Sequence, residues 1–119
     1  MDEEWFDVAA EAAAGLNTAR EAGGRIVAVG TTAVRARESA CDSCGGTLGA
    51  AHGWTRKYIR PPYRFRAVDA MLTNFHRPKS TLMMMVAAFM GYDFMMHCYN
   101  EAVKEEYRFF SYGDAMLLL

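Results

Sequence analysis

The stretch that decides the fold is residues 69–82, DAMLTNFHRPKSTL, which passes from an apolar segment through a polar corner into an apolar helix. Met71, Leu72 and Phe75 are typical of a buried strand. Pro78 suits the entry to a helix, because its ring fixes φ and it lacks an amide donor. The stretch therefore predicts a strand, a tight corner and a helix start.

A strand end that meets a helix start is a common ligand position in α/β proteins. Hydroxyls in the first turn can also accept hydrogen bonds from the free amides of the helix. The simpler interpretation, in which Asn74 and Ser80 only close a turn and cap a helix, is favoured by the chemistry of these residues alone. The candidate residues predicted to converge on this corner are Asp69, Thr73, Asn74, His76, Lys79, Ser80 and Thr81.

Upstream, the pattern predicts a helix over residues 8–22, a buried strand over 25–29 (RIVAV) and a short helix over 33–40. This order is typical of an α/β layer. Gly30 would let the backbone approach a ligand, while hydroxyls and helix amides could hold a carboxylate, phosphate or ribose. The alternative is an ordinary capped turn with a solvated arginine, and without further context it is favoured. The candidates of this second corner are Thr31, Thr32 and Arg35.

The composition indicates one domain, or a piece of one, in a chain of 119 residues with a net charge of −1. The acidic, polar start argues against a signal peptide, and the longest apolar run, residues 82–90, is far short of the roughly 20 residues that span a bilayer. Three cysteines and nine methionines fit a reducing compartment, so we expect a cytoplasmic protein with no membrane contact.

The Cys/Gly-rich segment at residues 41–55 is predicted to be a flexible loop. Cys41 and Cys44 have the spacing of a zinc knuckle, but a tetrahedral site needs four ligands and the chain offers no second pair. We therefore expect two free thiols and no metal, with a small zinc-knuckle protein as the weaker alternative.

Residues 58–68 are predicted to form two extended pieces around Pro61 and Pro62. In the second piece the aromatic side chains would face one way and the arginines the other. RNA would find backbone charge and stacking partners on such a surface, whereas the alternative is a half-buried strand with a solvated outer face, which composition alone favours. The candidate RNA-binding residues are Arg60, Arg64 and Arg66.

The last third of the chain predicts two helices and a short strand. The helix of residues 79–90 is apolar on nearly every side, so it is either central or covered by a partner or a missing domain. Asp93 could cap the next helix, which would run to about Glu106 and bury a stripe of Met95, Cys98, Tyr99, Ala102 and Val103. A turn with Tyr112 and Asp114 then leads to a buried strand over 115–119.

Four segments appear together in one order: GGRIVAVGTTAVR (23–35), GWT (53–55), YRFRAVDAMLTNFHRPKSTL (63–82) and EEYRFFSYGDAMLLL (105–119). They closely resemble the carboxy-terminal part of the S-adenosylmethionine:tRNA ribosyltransferase-isomerases of queuosine biosynthesis. The resemblance covers nearly the whole chain. It implies part of the α/β domain of a two-domain enzyme that also carries a small β-barrel domain.

The resemblance also implies a reaction. Members of this family transfer the ribosyl part of S-adenosylmethionine to 7-aminomethyl-7-deazaguanine in a tRNA anticodon and isomerise it, which gives epoxyqueuosine and releases adenine and methionine. His76 or Asp69 would move protons, and Arg35 and Arg108 would hold phosphate or the methionine carboxylate. Family members are much longer, so this chain is expected to be inactive alone, and the alternative is a non-catalytic module that binds RNA or a protein. The resemblance adds a third set of ligand-facing residues, Tyr107, Arg108, Ser111, Tyr112 and Asp114.

Overall fold

The computed structural model of the chain describes residues 3–76, 80–109 and 114–119. Within these residues the elements follow in the order β1 (Glu4–Val8), α1 (Ala10–Glu21), β2 (Val27–Val29), α2 (Thr31–Ser43), β3 (Ala51–Thr55), β4 (Ala70–Asn74), α3 (Thr81–Met90), α4 (Tyr92–Lys104) and β5 (Ala115–Leu118). The chain is a mixed α/β structure, as the sequence predicted.

The three-stranded sheet has the order β2-β4-β5. β2 and β4 are parallel, with Ala28 opposite Met71, and β5 is antiparallel to β4, with Leu118 opposite Met71. Ala28, Met71 and Leu118 therefore lie on one face of the sheet, and all three are buried. Helices pack on that face, so the sheet has at least one fully covered side.

The main core lies between this sheet face and the helices. Met85 of α3 and Met95 of α4 are fully buried, and burial of a methionine side chain contributes about 1.5–3 kcal/mol. Gly91 lies between the two helices with φ of 88°, which favours glycine, and the helix axes bend by 115° there. This sharp bend lets α3 and α4 pack against each other around the same core.

Among the described residues, no single helix is long and apolar enough to cross a membrane; α3 and α4 reach the required length and hydropathy only as a bent pair.

The two-stranded ribbon of β1 and β3 is antiparallel and pairs Trp5 with Trp54 and Phe6 with Gly53. Phe6 points inward to a second, smaller core that includes Ala13 of α1 and Cys41 of α2. α2 contacts both β2 and the ribbon, so it joins the two cores.

The described structure corrects several sequence predictions about elements. Residues 4–8 form a strand, so the first helix begins at Ala10, not at Val8. Residues 41–55 are not one loop, because α2 continues to Ser43 and Ala51–Thr55 is a strand. The first helical turns of α2 also start earlier than predicted, at Thr31.

Three further predictions about burial and pairing were wrong. Residues 58–68 form no strand, and the predicted alternation is confirmed over 63–67, where the aromatic side chains are half-buried and the arginines are exposed. Val68, however, is buried although it was expected to face outward with the arginines. In α4, Val103 is 64% exposed, so the buried stripe consists of Met95, Tyr99 and Ala102, with Cys98 half-buried. In β5, Leu117 is 59% exposed, so only alternate residues of the strand are buried.

The second face of the three-stranded sheet is open. Val29, Leu72 and Leu117 lie side by side across the three strands on this face. Val29 is 68% exposed and Leu117 is 59% exposed. Sheets with parallel strands are normally covered on both faces, so an exposed apolar face of this kind is unusual in an α/β domain.

Candidate functional site

The polar residues of two corners meet at one edge of the sheet. Because β2 and β4 are parallel, their carboxyl ends lie at the same edge, and the amide of Gly30 donates to the carbonyl of Leu72 at 2.8 Å. β5 begins at this edge, since Ala115 pairs with Asn74. The start of α2, the end of β4 and the start of β5 are therefore neighbours.

His76 is held at this edge by two hydrogen bonds. Its Nε2 lies 2.8 Å from the hydroxyl of Thr73, and its backbone amide donates to the hydroxyl of Tyr99 at 3.0 Å. Burial lowers the pKa of His76 below its ordinary value. The imidazole is therefore neutral at pH 7, and a neutral imidazole has one nitrogen that donates and one that accepts a proton.

The same pKa shift predicts a pH dependence of stability. Since the folded pKa lies below the unfolded value of 6.5, the unfolded state binds the proton more readily. The contribution of His76 to the stability of the folded state is complete above pH 6.5 and is lost as the pH falls toward the folded pKa. We expect the difference in unfolding free energy between the wild type and His76→Gln, measured with urea, to fall as the pH drops through 6.5. A difference that stays constant across this range would contradict the assignment.

Asp114 and Arg108 form a second polar group at the edge. The amide of Arg108 donates to Oδ2 of Asp114 at 2.5 Å, and its guanidinium Nε lies 3.6 Å from the same oxygen. The side-chain amide of Asn74 donates to the carbonyl of Asp114 at 3.4 Å. Asp114 thus joins the end of β4 to the segment after α4. The exposed Arg108 guanidinium stays accessible to an anion.

The start of α2 borders this edge, and α3 begins at Thr81, after the end of β4 at Asn74. α2 begins after Gly30, whose φ of 90° and open surroundings allow the backbone amides to be approached closely. Thr32 is exposed and Thr31 is half-buried in its first turn. At α3, the Ser80 hydroxyl accepts from the amide of Met83 at 3.2 Å, so the predicted helix cap is confirmed. Thr81 follows it and is half-buried.

Arg35 does not reach this edge. It is 2% exposed, and its guanidinium donates to the carbonyls of Lys57 and Thr55 and pairs with Glu4. The expectation that Arg35 faces a ligand or solvent was wrong. One turn into α2, its side chain points toward the ribbon of β1 and β3.

Asp69 lies at the opposite end of β4 from His76. Its carboxylate accepts from the amide of Ile26 at 2.8 Å and pairs with Arg20 at 2.6 Å. Burial alone would raise the pKa of Asp69, but these two partners outweigh it and hold the pKa below its ordinary value. The predicted convergence of Asp69 and His76 on one corner was wrong, since the five-residue strand separates them.

The remaining predicted residues divide into three groups. Tyr107 is 50% exposed and packs edge-on against Phe75 at 5.8 Å, beside the polar edge. Arg60, Arg64 and Arg66 are all exposed, and Arg66 also pairs with Asp42 at 2.5 Å. Three predicted residues lie outside the described residues: Lys79, Ser111 and Tyr112.

Sequence reasoning missed Glu38, the most buried charged residue described. It is fully buried in α2, and its carboxylate accepts from the Tyr63 hydroxyl and from the amides of Arg66 and Ala67, at 2.8, 3.0 and 2.6 Å. Burial, together with this carboxylate, raises the pKa of Tyr63. A lone Glu in an amphipathic helix carries no signal that would have identified this role.

An apolar cavity of about 800 Å³ lies between α3, α4 and β5. Its lining includes Phe89, Phe94 and Leu119, together with Glu101 and Glu105. Of the predicted ligand-facing residues that the structure describes, only Tyr107 lines it. Tyr107 therefore borders both the cavity and the polar edge.

Within residues 3–76, 80–109 and 114–119, no group of three or more His, Cys, Asp or Glu side chains is placed to hold a metal ion. Cys41 is buried in α2, and burial, with a smaller contribution from the Glu38 carboxylate, raises the pKa of its thiol. Cys44 is exposed just after the helix.

Parallel strands followed by helices, with polar groups at the carboxyl edge, define an α/β domain of the ligand-binding class. A family model described as "Queuosine biosynthesis protein" matches residues 1–118. The chain belongs to this family, and its resemblance to the S-adenosylmethionine:tRNA ribosyltransferase-isomerases is confirmed.

Two individual proteins show the same relationship. The chain is 56% identical, over all of its 119 residues, to the S-adenosylmethionine:tRNA ribosyltransferase-isomerase of Symbiobacterium thermophilum, of which it covers 35%. The crystal structure of the S-adenosylmethionine tRNA ribosyltransferase of Thermotoga maritima matches 97% of the chain with a TM-score of 0.88 and 51% identity, and the match covers 40% of that protein. The chain thus spans little more than a third of the relatives that it matches.

Proposed function

We propose that this chain forms part of the active site for transfer and isomerisation of the ribosyl group of S-adenosylmethionine onto 7-aminomethyl-7-deazaguanine in a tRNA anticodon, which gives epoxyqueuosine. The observation that carries the proposal is the polar edge of the sheet, where the end of β4 that leads to His76, the start of α2 and the Asp114–Arg108 pair are neighbours. The 56% identity to a ribosyltransferase-isomerase over the whole chain supports the same reaction class.

The residues of the edge have chemically distinct roles in this proposal. His76 moves a proton during isomerisation, because its nitrogens can donate or accept near neutral pH. The amides at the start of α2, with Thr31 and Thr32, bind ribose hydroxyls or a carboxylate. Arg108 binds an anion, either the methionine carboxylate or a tRNA phosphate. Asn74 and Asp114 hold the edge together, and Asp69 and Arg35 lie outside the proposed site.

S-adenosylmethionine acts as the ribosyl donor, and the proposed reaction requires no metal. The sulfonium group makes methionine a good leaving group, so positioning of the donor and the base contributes more than a covalent nucleophile would. We place the protein in the cytoplasm, where tRNA is modified.

The rest of the family's fold, including the small β-barrel domain, is proposed to be required for activity. Two apolar surfaces support this requirement: the open sheet face with Val29 and Leu117, and the cavity beside α3 with Phe89 and Phe94. Surfaces of this kind on a small domain are typical of protein contact sites. We propose that the remaining portion, or a partner chain, covers α3 and the sheet face.

The decisive experiment measures label transfer from ribosyl-labelled S-adenosylmethionine to tRNA that carries the deazaguanine precursor. It uses this chain alone, the separately produced amino-terminal portion of a homologue alone, and the two together. We expect transfer only from the mixture. Replacing Leu117 with aspartate on the open sheet face should abolish transfer by the mixture, whereas Lys104→Gln on the exposed face of α4 serves as the control.

Absence of transfer from a folded mixture would contradict the catalytic proposal. In that case retained tRNA binding by this chain would favour the second candidate, a non-catalytic RNA-binding module, for which the exposed Arg60 and Arg64 are the supporting observation.

A further inference from the structure

Exposure alternates along residues 52–60, which follow one another as HGWTRKYIR. The residues at even positions are all exposed, whereas Thr55 and Ile59 are buried and the other odd positions are half-buried. Within β3 this alternation follows from the strand pleat, and the same pattern of exposure continues from Arg56 to Arg60, beyond the end of the strand. We call this surface the aromatic strip; it consists of His52, Trp54, Arg56, Tyr58 and Arg60, together with Trp5 of β1.

Trp5 joins the strip because it pairs with Trp54 across the ribbon. The indole of Trp5 lies 5.6 Å from that of Trp54, edge to face, and is stacked with the ring of His52 at 5.7 Å. Trp5 is 53% exposed and Trp54 is 65% exposed, so these rings form a continuous aromatic surface instead of a core. Adjacent exposed aromatic rings form a contiguous apolar patch, and such patches mark binding surfaces more often than single exposed rings do.

Positive charge continues the strip beyond the ribbon. The guanidinium of Arg60 lies over the ring of Tyr58 at 5.6 Å. In the part of the chain that the structure describes, Arg60 forms no ion pair, whereas Arg56 pairs with Glu3 at 2.9 Å and still has a side chain that is 80% exposed. Asp7 lies opposite His52 at the other end of the ribbon. The strip therefore has an aromatic end near Asp7 and a cationic end at Arg60.

This combination of exposed aromatic rings and guanidinium groups suits single-stranded RNA. Bases stack on aromatic rings regardless of sequence, and guanidinium groups bind the phosphates between them. The open sheet face is chemically different, because it carries the aliphatic side chains Val29 and Leu117. The strip contains no exposed aliphatic residue. From His52 to Arg60 it extends over at most about 29 Å, enough for a few unpaired nucleotides.

We propose that the aromatic strip binds unpaired nucleotides of the RNA substrate, with bases stacked on Trp5, Trp54 and Tyr58 and a phosphate bound by Arg60. The inference rests on the proposed function for the identity of the substrate as tRNA. It assigns the binding to residues that lie apart from Arg64 and Arg66. It also predicts where the bound phosphate lies along the strip, which is at the end near Arg60 and away from Asp7.

Intrinsic fluorescence tests this proposal directly, because the two tryptophans of the chain both belong to the strip. The ligand is an unmodified RNA hairpin with a tRNA anticodon loop, and the comparison is a blunt RNA duplex of the same length. We expect the hairpin to quench the tryptophan emission at concentrations at which the duplex does not.

Variants then locate the contact, with affinity measured by the anisotropy of a labelled hairpin. Trp54→Ala should weaken binding by about 5- to 100-fold, the effect of losing one stacked base. Arg60→Gln should reduce the slope of log affinity against log salt by about 0.7. The control is Tyr92→Ala, which removes a comparably exposed aromatic ring at the start of α4 and should leave affinity unchanged.

Two results would overturn the inference: hairpin affinity that is the same in Trp54→Ala as in the wild type, or tryptophan quenching by the amino-terminal portion of a homologue in the absence of RNA. The second result would assign the strip to a protein contact. Failure here is distinguishable from failure of the proposed function. If the mixture transfers label and Trp54→Ala leaves the KM for tRNA unchanged, only the proposal that the aromatic strip binds RNA is overturned. If Trp54→Ala loses hairpin binding but no mixture transfers label, only the proposed reaction is overturned.

Discussion

Replacing Glu38 with alanine is expected to lower the free energy of unfolding by about 3–5 kcal/mol. The carboxylate is fully buried and accepts hydrogen bonds from the Tyr63 hydroxyl and from the amides of Arg66 and Ala67. Its removal leaves all three donors without this acceptor in a place that water does not easily reach. The measurement is urea unfolding followed by circular dichroism.

The reason for this large effect is the route of the chain between β3 and β4. Residues 58–68 carry no strand, so their amides are not paired by a sheet ladder. Glu38 supplies two of the missing acceptor contacts from α2 and thereby attaches this segment to the helix. We therefore regard Glu38 as the main polar connection between α2 and the segment before β4.

Two further variants keep this prediction testable if Glu38→Ala does not fold. Tyr63→Phe removes only the phenolic donor and should lower the unfolding free energy by about 1 kcal/mol. Glu101→Ala, on the exposed face of α4, is the matched control and should change stability by less than about 0.5 kcal/mol. Equal effects of Glu38→Ala and Glu101→Ala would show that the buried carboxylate does not stabilise the fold.

Replacing His76 with alanine is expected to lower turnover by the reconstituted enzyme about 10²- to 10⁴-fold, the usual contribution of general acid–base catalysis. The loss should appear in kcat, with little change in KM for S-adenosylmethionine, because the imidazole is proposed to act on the reacting atoms. The assay is label transfer by this chain mixed with the amino-terminal portion of a homologue.

Thr73→Val separates a catalytic role of His76 from a positional one. Thr73 is buried, and its hydroxyl contacts Nε2 of His76 at 2.8 Å, so its loss should disturb the orientation of the ring and the pH profile of kcat while the imidazole remains. A smaller loss than in His76→Ala, with a shifted pH profile, is the expected result. Turnover by a folded His76→Ala variant at the wild-type rate would refute the catalytic role.

Local patterns predicted the elements around the candidate site well. The apolar run before Asn74 is a strand, Ser80 caps α3, and Gly91 ends it, because each of these features depends on residues within a few positions of one another. The parallel order of β2 and β4 also follows from the predicted alternation of strands and helices.

Side-chain partners were harder to predict. Arg35 and Asp69 are both charged residues next to predicted corners. The partners of Arg35 lie 20 to 31 positions away in sequence, and those of Asp69 lie 43 and 49 positions away. The direction of the Arg35 side chain depends on the rotation of α2 relative to the ribbon, and the separation of Asp69 from His76 depends on the length of β4. Neither can be predicted before the elements are packed together. The same holds for Glu38, whose three donors come from a segment that begins 25 positions later.

The sequence by itself determined the α/β class, the position of β4 and the cap of α3, since these follow from hydrophobic period and backbone chemistry. It also carried the motifs by which the family was identified. Only the tertiary structure decided which polar residues share an edge, which charges are buried in pairs, and that two tryptophans lie together in solvent. Those features depend on strand register and helix rotation, which arise when distant segments pack and compete for the same buried hydrogen-bond partners.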